Sequence, residues 1–236
     1  MRWKHALQTT LVSLFVVAAL TAHAQVQLSL WNFNDENFDV DGGVLGGSLT
    51  LLGGISHEWA TGSPLDTATT NRGLNTRNYP AQGTGNRTAG VQFNTPTTGY
   101  MNVVVKMDFR WSNTAAKHAR FQYTVDGTNW IDGPQLVAPG GDTWYSQGYG
   151  GLLVVDLSAD AAVANNPNFA FRVVSEFAPG TNRYEAARAT SSYAGTGTYR
   201  FDLVEVQAMP VPEPASLFGL VAGLAGAVAL RRRQSR

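Results

Sequence analysis

The sequence predicts an all-β protein built as a single antiparallel β-sandwich, and three observations carry that reading. From Tyr100 to Trp111 six apolar residues recur at period two, with Met101, Val103, Val105, Met107, Phe109 and Trp111 on one face and Asn102, Lys106, Asp108 and Arg110 on the other. This is the period of a strand that packs on one side and meets water on the other. Turn signals recur between short apolar segments, and a helical period is almost absent between residues 25 and 208.

At the start, Arg2 and Lys4 precede an apolar segment from Leu11 to Leu20 and an Ala22-His23-Ala24 site. That order is a secretory signal peptide over residues 1–24, and cleavage leaves Gln25 as the first mature residue. Val26 to Phe33 alternates and reads as the first strand. It runs into a turn holding Asp35, Asp39 and Asp41, which reads first as a solvated turn, with a structural calcium ion held by these oxygens as the alternative. Their spacing departs from an EF-hand. Ser48 to Leu52 is a short strand, and Ser56 to Gly90 is expected to be mostly irregular, because Gly, Pro, Thr and Asn dominate it.

After the long alternating strand, Arg120 to Val125 places Phe121, Tyr123 and Val125 inward, Asp126-Gly127 turns the chain, and Trp130 and Ile131 begin the return. Ile131 to Gly151 is turn-rich and carries Trp144 and Tyr145. With Trp59 these are candidate ligand-binding aromatics, able to stack on sugar rings or to close one end of a sandwich core. Gly151 to Leu157 is a strand, Ser158 is the expected N-cap of a short helical turn, and Phe169 to Val174 is a further strand. Tyr199 to Gln207 closes the domain. Leu203, Val204 and Val206 cannot all share a face there, which predicts a bulge or burial on both sides.

Function classes are narrowed by what is missing. The chain has no cysteine, which removes disulfides, thiol nucleophiles and zinc-thiolate sites. His57 and His118 have no histidine partners at ligand spacing. No G-x-S-x-G elbow, P-loop or dinucleotide-binding glycine pattern occurs. Of the 17 basic residues six fall in the two ends, against one of the 17 acidic residues, so the central region is acidic and unsuited to nucleic acid. The Asp and Glu residues are too dispersed to nominate a glycosidase pair, so a hydrolase is the weakest reading.

Residues 209–236 form a tripartite tail: Pro212-Glu213-Pro214, an apolar run from 215 to 230, and Arg231, Arg232 and Arg233. As a helix the run spans roughly 24 Å, enough for a single transmembrane helix if the arginines snorkel on the cytoplasmic side. This order resembles the PEP-CTERM sorting signal of Gram-negative bacteria. The resemblance implies recognition by exosortase, a membrane-embedded processing enzyme, transient membrane anchoring, and delivery to the outer surface or to the extracellular polysaccharide matrix of a biofilm. A second resemblance lies in Thr124 to Trp130, Val155 to Val174 and Tyr199 to Val206, which look like the second half of jelly-roll modules in secreted bacterial proteins. Such modules are carbohydrate-binding or cell-surface domains, often without catalysis. The combined expectation is a non-enzymatic exported protein with domains at 1–24, 25–208 and 209–236, and a carbohydrate-binding module as the alternative.

Overall fold

The computed structural model describes residues 24–212. Twelve strands and one short helix follow in the order β1 (Val26–Trp31), β2 (Ser48–Leu52), β3 (Ser56–Thr61), β4 (Arg72–Arg77), β5 (Gly90–Asn94), β6 (Tyr100–Trp111), β7 (His118–Thr124), β8 (Ile131–Val137), β9 (Thr143–Trp144), α1 (Tyr145–Tyr149), β10 (Leu153–Asp156), β11 (Ala170–Glu176) and β12 (Tyr199–Pro210). They form two antiparallel sheets, a jelly-roll-like sandwich. One sheet has five strands in the order β2-β5-β11-β7-β8. The other has seven, in the order β10-β6-β12-β4-β3, with β1 on the second half of β12 and β9 on the end of β6.

The long alternating stretch is β6, and its partner along nearly its whole length is β12, from Tyr199 opposite Trp111 to Pro210 opposite Tyr100. Their inward residues carry most of the core: Phe109 packs against Trp111, Tyr199 and Phe201 at centroid separations of 4.4, 4.9 and 4.8 Å. From the opposing sheet Phe93 reaches Phe201 at 6.1 Å and stacks on Phe171 at 4.9 Å, so one aromatic column joins the layers. The bulge expected in the last strand is present. Leu203 has φ 49° and the register shifts between Asp202 and Glu205, which turns Val204 and Val206 back to the core.

Two expectations are corrected. Ser56 to Gly90 holds the strands β3 and β4 rather than only irregular chain. Their sequences, SHEWAT and RGLNTR, are poor in apolar residues because β3 is an edge strand and β4 satisfies its buried Thr76 by hydrogen bonds to Tyr79 Oη and the Tyr199 carbonyl. The turn after β10 is a 3-10 segment at Ala161–Val163 capped by Asp160, whose side chain accepts from the Ala162 amide; Ser158 instead donates its amide to Asp156. The edge strand β8 carries Pro134, which donates no ladder hydrogen bond. Val26 lies opposite Ala208, so both ends of the described chain leave from the same end of the sandwich. Residues 1–23 and 213–236, which include the expected signal peptide and membrane helix, fall outside the described residues. Among the described residues no helix is long and apolar enough to cross a membrane.

A buried acid pair locks the outer face of the larger sheet. Asp108 and Asp202 stand directly opposite each other on β6 and β12 and are fully covered. Asp108 accepts from Ser63 Oγ, Ser146 Oγ, and the amides of Ser146 and Phe109. Asp202 accepts from the amides of Ser63 at 2.5 Å and Leu203 at 2.7 Å. Burial pushes the Asp202 carboxyl up to about 8, against those hydrogen bonds and with the nearby carboxylates of Asp66 and Asp108 adding to the rise. A side chain at Gly62 would collide with both Asp202 Oδ2 and Asn71 Oδ1, so the two oxygens face each other across this glycine. Asn71 Oδ1 is buried beside this carboxyl and has no hydrogen-bond donor.

The folded chain therefore holds a proton on Asp202 that the unfolded chain releases from about 3.8, and stability falls as pH rises from there through about 8. Thermal melts across that range are expected to show the decline, and Asp202→Asn to flatten it. Parallel curves for the two proteins would exclude this carboxyl as the cause.

Candidate functional site

Strand alternation places one continuous row of polar side chains across the outer face of the five-stranded sheet. Thr50 lies opposite Gln92, Gln92 opposite Arg172, Arg172 opposite Gln122, and Gln122 opposite Asp132, so five neighbouring strands contribute one residue each. At strand spacing the row is about 19 Å long. Small residues flank its centre: Ala170 on one side, Gly90 and Val174 on the other. A side chain on Gly90 would strike the Val173 carbonyl, so the closeness of the strands itself requires glycine there.

The row is held by mutual hydrogen bonds. Arg172 Nε donates to Gln122 Oε1 at 2.8 Å and Gln122 Nε2 donates to Asp132 Oδ1 at 2.7 Å. The Arg172 guanidinium lies 4.0 Å from the ring centre of Trp130, a half-buried platform beside it. Arg87 continues the network, donating from Nη1 to Asp132 at 2.7 Å and from Nε to Glu176 at 2.7 Å. Arg120 and Gln135 also donate to Glu176. Burial would raise the Glu176 carboxyl, but the hydrogen bonds from Arg120, Gln135 and Arg87 outweigh it and the net direction is down. The Gln122 amide, with Arg87 and Arg120, likewise holds Asp132 low. Burial lowers the Arg172 guanidinium from its usual value. Clefts open at both ends of the face, one of about 420 Å³ beside Arg87, Arg120 and Glu176 and one of about 230 Å³ beside Gln92, Asn94 and Asn168. Amides, a guanidinium and a carboxylate fixed in one row beside an aromatic ring are groups suited to a ligand that presents many hydroxyls.

The aromatics singled out from sequence sit elsewhere. Trp144 is 5% exposed at the start of α1, Tyr145 is half-buried against Tyr149 with ring centres 4.6 Å apart, and Trp59 packs among Phe33, Phe38 and His57. Trp59 and Trp144 lie on β3 and β9, at opposite edges of the seven-stranded sheet and about 19 Å apart at strand spacing. In the acidic turn, Asp41 Oδ2 accepts from the amides of Asn32 and Phe33, and Asp35 accepts from Asn37. Burial raises the Asp41 carboxyl first, with repulsion from Asp35 and Asp39 contributing. Among the described residues no group of three or more His, Cys, Asp or Glu side chains converges on one point. The facing carboxylates Asp108 and Asp202 are sealed from solvent beneath Ser63 and Ser146. Sequence reasoning missed Gln92, Arg172 and Gln122, though a signal existed: in VQF, FRV and FQY each is the outward residue between two inward apolar ones.

Residues 210–233 match the PEP-CTERM protein-sorting motif, a span that includes Pro212, Glu213, Pro214, Arg231, Arg232 and Arg233; of these Pro212 alone is among the described residues. No curated protein matches the chain. Among solved structures, the CBM22-1 xylan-binding domain of Paenibacillus barcinonensis Xyn10C is 12% identical with a TM-score of 0.46, over 81% of this chain and all of that one. The CBM22-1 and GH10 modules of Clostridium thermocellum xylanase 10B complexed with xylohexaose are 11% identical with a TM-score of 0.44, over 80% of this chain and 29% of that one. The adhesin domain of Lys-gingipain from Porphyromonas gingivalis is 13% identical with a TM-score of 0.40, over 80% and 99%.

Replacing Glu176 by Ala removes the buried acceptor shared by Arg87, Arg120 and Gln135, while Arg87 keeps Asp132 and Arg120 the Gly133 carbonyl, and is expected to cost about 2 kcal/mol in urea unfolding. Arg77→Ala, which breaks a pair exposed at both ends, should cost less than about 1 kcal/mol. Equal losses would show that the Glu176 network contributes no more than an exposed pair.

Proposed function

We propose that this chain is an exported, non-enzymatic protein routed by an exosortase-type system, and that its sandwich binds extracellular polysaccharide through the outer face of the five-stranded sheet. The observation that carries the binding reading is the row Gln92-Arg172-Gln122-Asp132, pre-ordered by its own hydrogen bonds beside Trp130. Rigid polar groups lose little entropy when a ligand replaces their water, and planar amide and guanidinium forks match pairs of neighbouring hydroxyls. The sorting motif at residues 210–233 supports the route: the tail holds the protein transiently in the membrane, the exosortase-type enzyme removes it, and the sandwich stays at the outer surface or in the matrix.

Two measurements test the two halves. On a glycan array the full-length chain should bind a polysaccharide, and Arg172→Ala should weaken that binding about tenfold or more with an unchanged melting temperature; undiminished binding by the variant refutes the site. Mass spectrometry of the protein from a host that holds an exosortase should find a C-terminus upstream of Arg231. An intact Arg236 in that material refutes processing.

A further inference from the structure

A third cleft, of about 540 Å³, opens at the end of the sandwich where β12 begins, between the segment 178–193, Lys117 and Gln82. It lies a strand's length from the point where the chain leaves β12 at Pro210, about 40 Å away. We propose that this cleft binds a carboxylate-bearing sugar, with Tyr193 as the stacking platform and Arg183 as the fork that takes the carboxylate. This cleft adjoins the one beside Glu176 through Ala178 and Thr181, but the residues invoked here, Tyr193 and Arg183, line only this one.

Tyr193 is half-buried and stacks on Tyr184 with ring centres 4.5 Å apart at 29°, while its hydroxyl donates to the Pro80 carbonyl at 2.7 Å. Tyr184 is 3% exposed, braced edge-on by Phe177 and tied by its hydroxyl to the carbonyls of Thr84 and Gly85. The ring is thus backed on one face and fixed at its tip, and it lines the cleft, where an aromatic ring can take the apolar face of a pyranose. The charges define the ligand further. Lys117 Nζ lies 3.2 Å from Glu185 Oε2, and His118 Nε2 lies 3.4 Å from the same oxygen. Glu185 is therefore already engaged. Arg183 is exposed and makes no ion pair among the described residues, which leaves one planar cation at the rim. A guanidinium binds carboxylate through two parallel hydrogen bonds. Since the central region carries an acidic surplus, an anion reaches this cleft against the overall field, and its binding depends on that local cation.

Calorimetric titration of the full-length chain in detergent with tetragalacturonate tests the assignment. Saturable binding is expected, weakened about tenfold or more by Arg183→Ala and to a similar degree by reducing the sugar carboxyls to alcohols. Arg172→Ala, on the sheet face, should leave it unchanged, so loss of neutral-glycan binding and loss of this binding are separable. The proposal is overturned if tetragalacturonate does not bind, if the carboxyl-reduced oligomer binds equally well, or if Arg183→Ala binds as the parent does.

Discussion

The pairing of β6 with β12 is the constraint on which the rest of the structure depends. These two twelve-residue strands are the longest in the fold, and each divides its outer edge between two shorter ones: β9 and β10 on β6, β4 and β1 on β12. No shorter pair could join strands from both ends of the sandwich into one sheet. The pairing also spans the whole chain, since β12 comes last and holds β1 in place. Its closure entropy must be met before the seven-stranded sheet exists, so the aromatic column of Phe109, Phe201 and Phe93 is where the compensating burial has to lie.

What could be read in the sequence followed from how strongly burial shaped it. β6 was legible because Val103, Val105, Met107, Phe109 and Trp111 are all core, although a bulge at Asn102 puts Tyr100 rather than Met101 against it, and the bulge at Leu203 because three apolar residues could not share one side of a pleat. β3 and β4 were not, since an edge strand and a strand paired through buried polar groups have little apolar signal to give. The candidate site was harder for a related reason. Aromatic residues on loops attract attention, yet Trp144 is core and Trp59 belongs to a local cluster. The residues that form the row are Gln and Arg at outward strand positions, and any one of them alone is an ordinary solvated side chain. Only cross-strand register, which a sequence does not display, shows that they make one line.

The two outer faces of the sandwich use polar residues in opposite ways. On the larger sheet Asp108 and Asp202 are sealed beneath Ser63 and Ser146, and the network joins loop 62–71 and α1 to the strands. On the smaller sheet the guanidiniums around Glu176 and Asp132 reach toward solvent, with Arg87 35% and Arg120 18% exposed. Satisfied and covered, polar groups fasten structure; satisfied and open, they remain available to exchange one partner for another. The smaller sheet keeps part of its charge at the surface, although Glu176 and Gln122 themselves are buried.

Pro134 in β8 bears on how the sandwich meets other chains. The bare margin of a sheet is a template on which a strand of another molecule can pair. A proline on that margin withholds a donor from the ladder another chain would have to build. The free side of β8 therefore offers an incomplete template for edge-to-edge pairing.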